Sequence, residues 1–353
     1  MSNHYGVVLP SLKIGGGNRV LLQFLNLAIA NNNKCAMFFL NRIGKNFKAP
    51  QCREIYQSVF DDNIFFIIFS CFLLSLKIRY DDQTDKLIVS DPILLIFSFI
   101  YSNKKIIRFV QSNDYLVFDQ NKKANSIFNF IYKRLFLRSQ KYKYFKVLFN
   151  SKYSLKAYNK FLPKSQRYTF KDIINPGIFT LNYDFKRSKP SHPYTNIAII
   201  TSLQPRKGLK QFVEILKNSK LKKIQYYLIS QDDIQLDYLN VTHIKPKNDN
   251  DYVSALKRCH FILSTSTFEG FGLPLIESMG LGLVAIAAHN QGMDEYFDNT
   301  NILIFNNIEE YDKNLLTCIN NPKKYIKLSN KSVETASNFT EKNFYSSFIN
   351  KIK

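Results

Sequence analysis

The decapeptide FEGFGLPLIE, from Phe268 to Glu277, sets two carboxylates eight positions apart around a turn of Gly270, Phe271, Gly272, Leu273 and Pro274. The glycines permit a tight turn and a close approach of backbone to ligand, and proline suits the first helical position, where no amide hydrogen is needed. The pattern predicts a helix starting at the turn, with its free amides from Phe271 to Leu275 forming a site for anions or hydroxyls at the positive end of the helix dipole. A carboxylate accepts from two vicinal hydroxyls at once, as sugars and riboses offer them. Glu269 just before the turn and Glu277 one turn inside the helix can therefore flank one polyhydroxyl ligand. Taken singly, Glu277 reads as a carboxylate complementing the helix dipole and Glu269 as a loop residue; the glycine turn between them favours the site.

The elements that must position these residues alternate. YGVVLP, KCAMFFL, KLIVSD, KIIRFV and FKVLFNS read as strands, with NRVLLQFLNLAIANN as the first helix. NPGIFTLNYDFKRSKPSHPYT interrupts the pattern with loop-like, proline-containing sequence. Alternation then restarts through NIAIITS, GLKQFVEILKNS, IQYYLIS, VTHIKP, NDYVSALKRC, HFILSTS, PLIESMG, LVAIAA and NILIF. Such alternation predicts βαβ units and parallel sheets in two α/β domains. Ligands of open α/β sheets sit beyond the carboxyl ends of the strands. Three informative stretches fall at such ends: Gly15 to Gly17, SLQPRKG, and FEGFGLP.

Length and composition agree with two well-filled domains. The chain has 353 residues, 45% of them apolar and 22% charged, with 31 Phe and 21 Tyr, which suffices for two cores and argues against disorder. Five cysteines and five histidines are scattered without CxxC or zinc-ligand spacing, so the cysteines read as reduced thiols and no metal site is expected. The amino terminus lacks the basic start and apolar core of a secretory signal. The most hydrophobic run, Ile64 to Leu76, spans 13 residues and contains Ser70, Cys71 and Ser75. A bilayer span needs about 20 apolar residues, so this run is expected to be a buried core helix.

The net charge of +22 is unevenly placed. Between Tyr101 and Lys171 there are 17 Lys and Arg against Asp114 and Asp119, a net +15. Within that region, Asn121 to Lys146 interleaves Lys and Arg with Phe, Tyr, Leu and Ile at helical spacing. A positive, aromatic face of this kind suits anionic lipid headgroups or phosphates. The plainer alternative is a solvated basic face whose aromatics lie in the core.

From Ile197 to about Thr340 the chain resembles the donor domain of retaining glycosyltransferases of family 4. EGFGLPLIE matches that family's two glutamates separated by seven residues, and SLQPRKGLKQF resembles its basic diphosphate-binding loop. GGG at Gly15 to Gly17, FNSKYS and NPGI are looser likenesses, which extend the resemblance over most of the chain. It implies the GT-B fold: two Rossmann-like α/β domains facing each other across a central cleft. The expected bounds are an acceptor-side domain over 1–178, a linker over 179–195, a donor domain over 196–335, and a terminal helical segment over 336–353 packing back on the first domain.

The resemblance also implies roles. Arg206 and Lys207 would hold the donor's pyrophosphate, and two adjacent cations at a strand end suit a phosphate leaving group. Amides near Gly16 and Gly17 would reach the same phosphates. Glu277 would bind the ribose hydroxyls, while Glu269 and the amides of Phe271, Gly272 and Leu273 would hold the transferred sugar. Ser202 stands where many relatives carry Arg. Gln111 or Asp114 stands where they often carry His, and Val284 where they carry Pro.

The expected activity is metal-independent, retaining transfer from a nucleotide-diphosphate sugar to a glycan hydroxyl, with no cofactor. The acceptor is expected to be lipid-linked, in cell-surface polysaccharide or lipopolysaccharide assembly, and the protein peripheral on the cytoplasmic face of the inner membrane, touching an anionic surface. Three alternatives belong to other classes. A basic nucleic-acid binder would leave the glutamate pair unexplained. A nicotinamide-dependent oxidoreductase would need GxGxxG, which GGGNRV lacks. A catalytically inactive sugar-nucleotide-binding protein is separated only by an activity assay.

Overall fold

The computed structural model describes residues 4–11, 15–41, 50–59, 64–113, 134, 145–182 and 195–353. Asp114, most of the basic stretch Asn121 to Lys146, and the linker positions 183–194 lie outside the described residues. The chain divides into two compact units, Met1–Pro176 with Glu341–Lys353, and Gly177–Thr340.

The first unit is built on six parallel strands: β1 (His4–Leu9), β2 (Lys34–Asn41), β3 (Arg53–Ser58), β4 (Lys86–Val89), β5 (Lys105–Val110) and β6 (Phe145–Phe149), in the order β3-β2-β1-β4-β5-β6. Its helices are α1 (Gly16–Ala30), α2 (Ile64–Tyr80), α3 (Pro92–Ile96) and α4 (Lys152–Asn159). The interior strands are near-continuous apolar runs because helices bury a parallel sheet on both faces. Val7, Val8, Leu9, Ile88 and Phe109 are all fully or almost fully buried. β3, REIYQS, escapes the sequence reading because an edge strand buries little and its polar residues carry no apolar run.

The second unit repeats the arrangement with β7 (Thr195–Ile200), β8 (Ile224–Ile229), β9 (Val241–Ile244), β10 (Phe261–Ser264), β11 (Val284–Ala287) and β12 (Ile302–Ile304), ordered β12-β11-β10-β7-β8-β9. As in the first sheet, the order reverses in mid-sheet, the mark of a doubly wound fold. The helices are α5 (Leu209–Asn218), α6 (Asp249–Lys257), α7 (Leu273–Gly280), α8 (Ile308–Ile319) and α9 (Pro322–Ala336). Asn248, Asn307 and Asn321 cap α6, α8 and α9 through their side chains, each satisfying one orphan amide.

The unit boundaries differ from the expected ones for a local reason. Residues 177–182, expected as domain end and linker, belong to the second unit: Ile178 donates its amide to the Phe339 carbonyl at 2.8 Å, and Thr180 Oγ1 donates to the Glu277 carbonyl at 2.8 Å. At the other end, α10 (Glu341–Ile352) joins the first unit. Its Phe348 packs on Phe24 of α1 with ring centroids 4.8 Å apart and on Phe109 of β5 at 5.3 Å.

The apolar run from Ile64 is a helix but not a buried one. Ile67, Cys71, Leu74 and Ile78 face the core, whereas Phe65, Phe66, Phe69 and Phe72 are exposed. The run is apolar on both faces, so its amphipathicity is geometric and invisible to composition.

Candidate functional site

At the centre of the second sheet β7 and β10 are neighbours, and the chain leaves them in opposite directions, to β8 and to β11. This is the point where a doubly wound sheet opens a crevice for ligands. SLQPRKG follows β7 and STFEGFG follows β10, so topology alone brings the basic loop and the glutamate turn to one place.

Local structure then fixes the loops. Pro205–Lys207 forms a single 3-10 turn, ended by Gly208 in a left-handed conformation with φ of 72°. A Cβ at Gly208 would lie 1.9 Å from the Thr265 carbonyl oxygen, so only glycine allows this loop to rest on the end of β10. The contact is stitched by hydrogen bonds: Thr265 Oγ1 to the Gly208 carbonyl at 2.9 Å, the Thr267 amide to the Arg206 carbonyl at 2.9 Å, and Thr201 Oγ1 to the Lys207 carbonyl at 2.9 Å.

These bonds hold Arg206 and Lys207 against Glu269. Lys207 Nζ donates to Glu269 Oε1 at 2.7 Å and Arg206 Nη1 to Oε2 at 3.3 Å, so one carboxylate bridges both cations. The Glu269 side chain is only 12% exposed. Burial pushes its carboxyl upward, but the charges of Lys207 and Arg206, with hydrogen bonds from Lys207 and Ser266, outweigh it and hold the group below the ordinary glutamate range. Arg206 is steadied further by Gln204 Oε1 at 3.1 Å and by the Phe268 ring, 5.5 Å from its guanidinium carbon.

The turn itself is set by Gly272, with φ of 81°, which precedes α7. Pro274 is the second helical residue rather than the first, since the helix opens on Leu273. The Leu275 and Ile276 amides both point to the Gly272 carbonyl, at 3.0 and 3.3 Å, so Leu275 drops out of the expected set of free amides. Tyr296 closes the turn from below: its hydroxyl donates to the Gly272 carbonyl at 3.2 Å and its ring meets Phe271 edge-on at 5.6 Å. Burial, reinforced by the negative charge of Glu269, pushes the Tyr296 phenol well above its ordinary value, which keeps it a hydrogen-bond donor. Gly292 lies so close to Glu269 that a Cβ there would come within 2.4 Å of its carbonyl oxygen.

Glu277 sits apart from the ion cluster in its contacts. It is 2% exposed, and its Oε2 accepts from the Tyr252 hydroxyl at 3.1 Å. The structure thus brings Glu269, Arg206 and Lys207 together, places Phe271, Gly272 and Leu273 on the turn beside them, and seats Glu277 within the helix against α6. Tyr252, Tyr296, Asn290 and Gly292 went unread because they are distant in sequence and of ordinary types, and Thr265, Ser266 and Thr267 went unread because HFILSTS reads only as a strand.

In the first unit, Gly15 precedes α1, and Gly16 and Gly17 form its first turn rather than a free loop. Gln111, following β5, donates to the Gly17 carbonyl and to Ser90 Oγ, both at 3.0 Å. Its own carbonyl accepts from Asn150 Nδ2 at 2.9 Å. In the second unit, Lys245 pairs with Asp233 at 2.8 Å and the Pro246 carbonyl accepts from Gln231 at 2.7 Å. Among the described residues no group of three or more His, Cys, Asp or Glu is placed to hold a metal ion.

Comparison with known proteins bears on the family and the fold. Residues 183–335 match the model of the family described as glycosyl transferases group 1. No curated protein matches the chain in sequence. Among solved structures, sucrose-phosphate synthase from Thermosynechococcus elongatus superposes with a TM-score of 0.77 at 12% identity, covering 99% of this chain and 98% of its own. WaaG, a glycosyltransferase involved in lipopolysaccharide biosynthesis, gives 0.75 at 13% identity over 98% and 99%. Anabaena HepE, solved in complex with UDP-glucose, gives 0.73 at 15% identity over 98% of each chain. The chain has the fold of GT-B glycosyltransferases, and the part of it that carries the ion cluster matches the glycosyl transferases group 1 family.

Proposed function

We propose that the protein transfers a sugar from a nucleotide-diphosphate sugar to a hydroxyl of a glycan acceptor, with retention of anomeric configuration. The observation that carries the reading is the bridging of Glu269 by Lys207 and Arg206 at the ends of two adjacent central strands. Two cations held on a rigid loop stabilise the charge that develops on a departing diphosphate. In this structure Glu269 balances one of their two positive charges. An incoming diphosphate takes over the cations and releases the Glu269 carboxylate to accept hydrogen bonds from the sugar hydroxyls. The Gly272 turn presents the amides at the start of α7 to the same sugar, and Glu277, oriented by Tyr252, binds the ribose. A basic nucleic-acid binder would have no use for a carboxylate buried between its cations.

Positive side chains and the start of α7 do here what a divalent cation does in other transferases, so the proposed transfer is metal-independent. The acceptor is lipid-linked, presented at an anionic membrane on the cytoplasmic face, and the product enters cell-surface polysaccharide. The HepE complex with UDP-glucose and the role of WaaG support a nucleotide sugar and this setting, as does the net charge of +22.

The deciding experiment is a thermal-shift screen against UDP, GDP, dTDP and their sugars, followed by NMR of the first-formed product. A ligand at 100 times its Kd adds about 2.7 kcal/mol of stability. Stabilisation by one nucleotide sugar, transfer that survives EDTA, and a product with the donor's anomeric configuration are expected. An inverted product removes the retaining mechanism; stabilisation without turnover favours a sugar-nucleotide-binding protein.

A further inference from the structure

We propose that the outer face of α2 is a membrane-contact surface, whose phenylalanines enter the headgroup region of an anionic bilayer while the helix stays packed on the first sheet. This deepens the membrane reading given above by naming an apolar contact, and it does not depend on sugar transfer.

The inner side of α2 is committed to the fold. Ile67, Ser70, Cys71, Leu74, Ser75 and Ile78 are buried, and the helix packs on β2 and β3. The Ser75 hydroxyl donates to the Cys71 carbonyl at 2.7 Å, so this polar group is satisfied within the helix. The outer side carries Phe65 at 67% exposure, Phe66 at 43%, Phe69 at 52% and Phe72 at 37%. Positions 65, 69 and 72 share one helical face, with 66 at its edge. A helix facing water places polar residues there. Here the first outward polar side chains are Lys77 and Arg79, in the last turn.

The patch continues beyond the helix. The Phe72 ring meets Phe97 at 6.0 Å, and Phe99, two residues on, is 54% exposed. Arg79 Nη1 donates to the Ile100 carbonyl at 2.8 Å, tying the basic end of α2 to the segment that leads into Lys104 and Lys105. The surface therefore combines a phenylalanine face with Lys77 and Arg79 in the last turn; α2 itself contains no Asp or Glu, and of the two aspartates that directly follow it Asp81 is buried in a pair with Arg53 while Asp82 is exposed.

Charge selects the occupant. A second copy would bring together two chains of net charge +22, whereas an anionic leaflet attracts such a chain and accepts aromatic side chains at headgroup depth. No helix among the described residues is long and apolar enough to cross a membrane, and the buried side of α2 holds the first sheet, so the helix lies on the surface.

The chain contains no tryptophan, so Phe69→Trp introduces a single reporter at the centre of the face. With vesicles of phosphatidylglycerol and phosphatidylcholine, its emission shifts to the blue and brominated acyl chains quench it; phosphatidylcholine alone requires at least about tenfold more lipid for the same change. The triple variant Phe65→Ser, Phe66→Ser, Phe69→Ser co-sediments at least about tenfold more weakly, its fold checked by circular dichroism without lipid. If the triple variant fails to fold, the tryptophan reporter still decides. Pelleting of the triple variant equal to wild type, with an unquenched tryptophan in the pelleted protein, overturns the proposal yet leaves membrane binding through basic residues standing. Loss of pelleting in every form removes both readings. A blue shift that needs no lipid and grows with protein concentration assigns the face to a second copy instead.

Discussion

The two units are both doubly wound and end up with different chemistry at their central strand ends. In the second unit, the loops after β7 and β10 meet in an ion cluster of Arg206, Lys207 and Glu269. In the first, the stretches after β1, β4 and β5 meet in a neutral network, where Gln111 bridges the Gly17 carbonyl and the Ser90 hydroxyl. A shared architecture thus supplies the place and not the charge. The glycines differ in kind as well. Gly208 is demanded by its own fold, through a positive φ and contact with Thr265. At Gly17 a Cβ would meet only the Gln111 side chain, at 3.5 Å, and its place in the first turn of a helix would accept alanine.

The largest expected effect lies at Gly208. Gly208→Ala combines a left-handed backbone penalty of about 1–2 kcal/mol with an overpacking cost of about 1–3 kcal/mol against the end of β10. Calorimetry should show the second unit destabilised by about 2–5 kcal/mol and donor-dependent stabilisation lost. A variant as stable as wild type would mean that the loop does not rest on β10.

Next come the charges. Lys207→Ala leaves Glu269 with Arg206 as its one paired cation, and Glu269→Ala leaves both cations without their carboxylate. Each should lower transfer by at least about tenfold, equivalent to ~1.4 kcal/mol of transition-state stabilisation. Glu277→Ala should instead raise the donor's Kd, because a ribose contact exists before and during the reaction. Wild-type rates in Lys207→Ala and Glu269→Ala would detach the cluster from the chemistry.

Acid titration gives a smaller effect with a definite sign. The Glu269 carboxyl is held below its ordinary value of 4.5 in the folded protein. A depressed carboxyl contributes stability that is present above the unfolded value and lost as pH falls through the folded one. Denaturant unfolding at about pH 5 and about pH 3 should therefore show wild type losing more stability than Glu269→Gln over that interval. The other carboxylates titrate in both proteins and cancel in the difference. Equal losses would contradict the charge arrangement at Lys207 and Arg206.

How much of this was legible in the sequence depends on where the information resides. The Gly272 turn and the start of α7 were readable because glycine, proline and a following apolar stripe are local signals. The strands of both sheets were readable as apolar runs, except β3, whose edge position removes the pattern. The meeting of Lys207 with Glu269 was not readable from spacing, since 62 positions separate them and only the adjacency of β7 and β10 brings them together. The exposed side of α2 was misread because a uniformly apolar helix gives no sign of which face the sheet will cover. Tyr252 and Tyr296 left no trace, since their importance comes from a single hydroxyl directed at Glu277 and at the Gly272 carbonyl.

The smallest expected effect tests the contrast between the two glycines most directly. Gly17→Ala replaces the second residue of α1 at a site where the added methyl would make ordinary contact with Gln111. Alanine restricts the unfolded chain and suits a helix, so the first unit should gain about 0.5 kcal/mol. For a unit of this size that is a rise in Tm of about 1–2 °C. If the backbone at the start of α1 also approaches a bound phosphate, the same methyl intrudes on the ligand, and transfer should fall several-fold while stability rises. Gain of stability with loss of activity is a combination that a purely structural glycine cannot produce, since a structural glycine loses stability when replaced, as Gly208 should. Unchanged transfer in Gly17→Ala would leave Gly16 and Gly17 as an ordinary helix start and confine the phosphate contacts to the second unit.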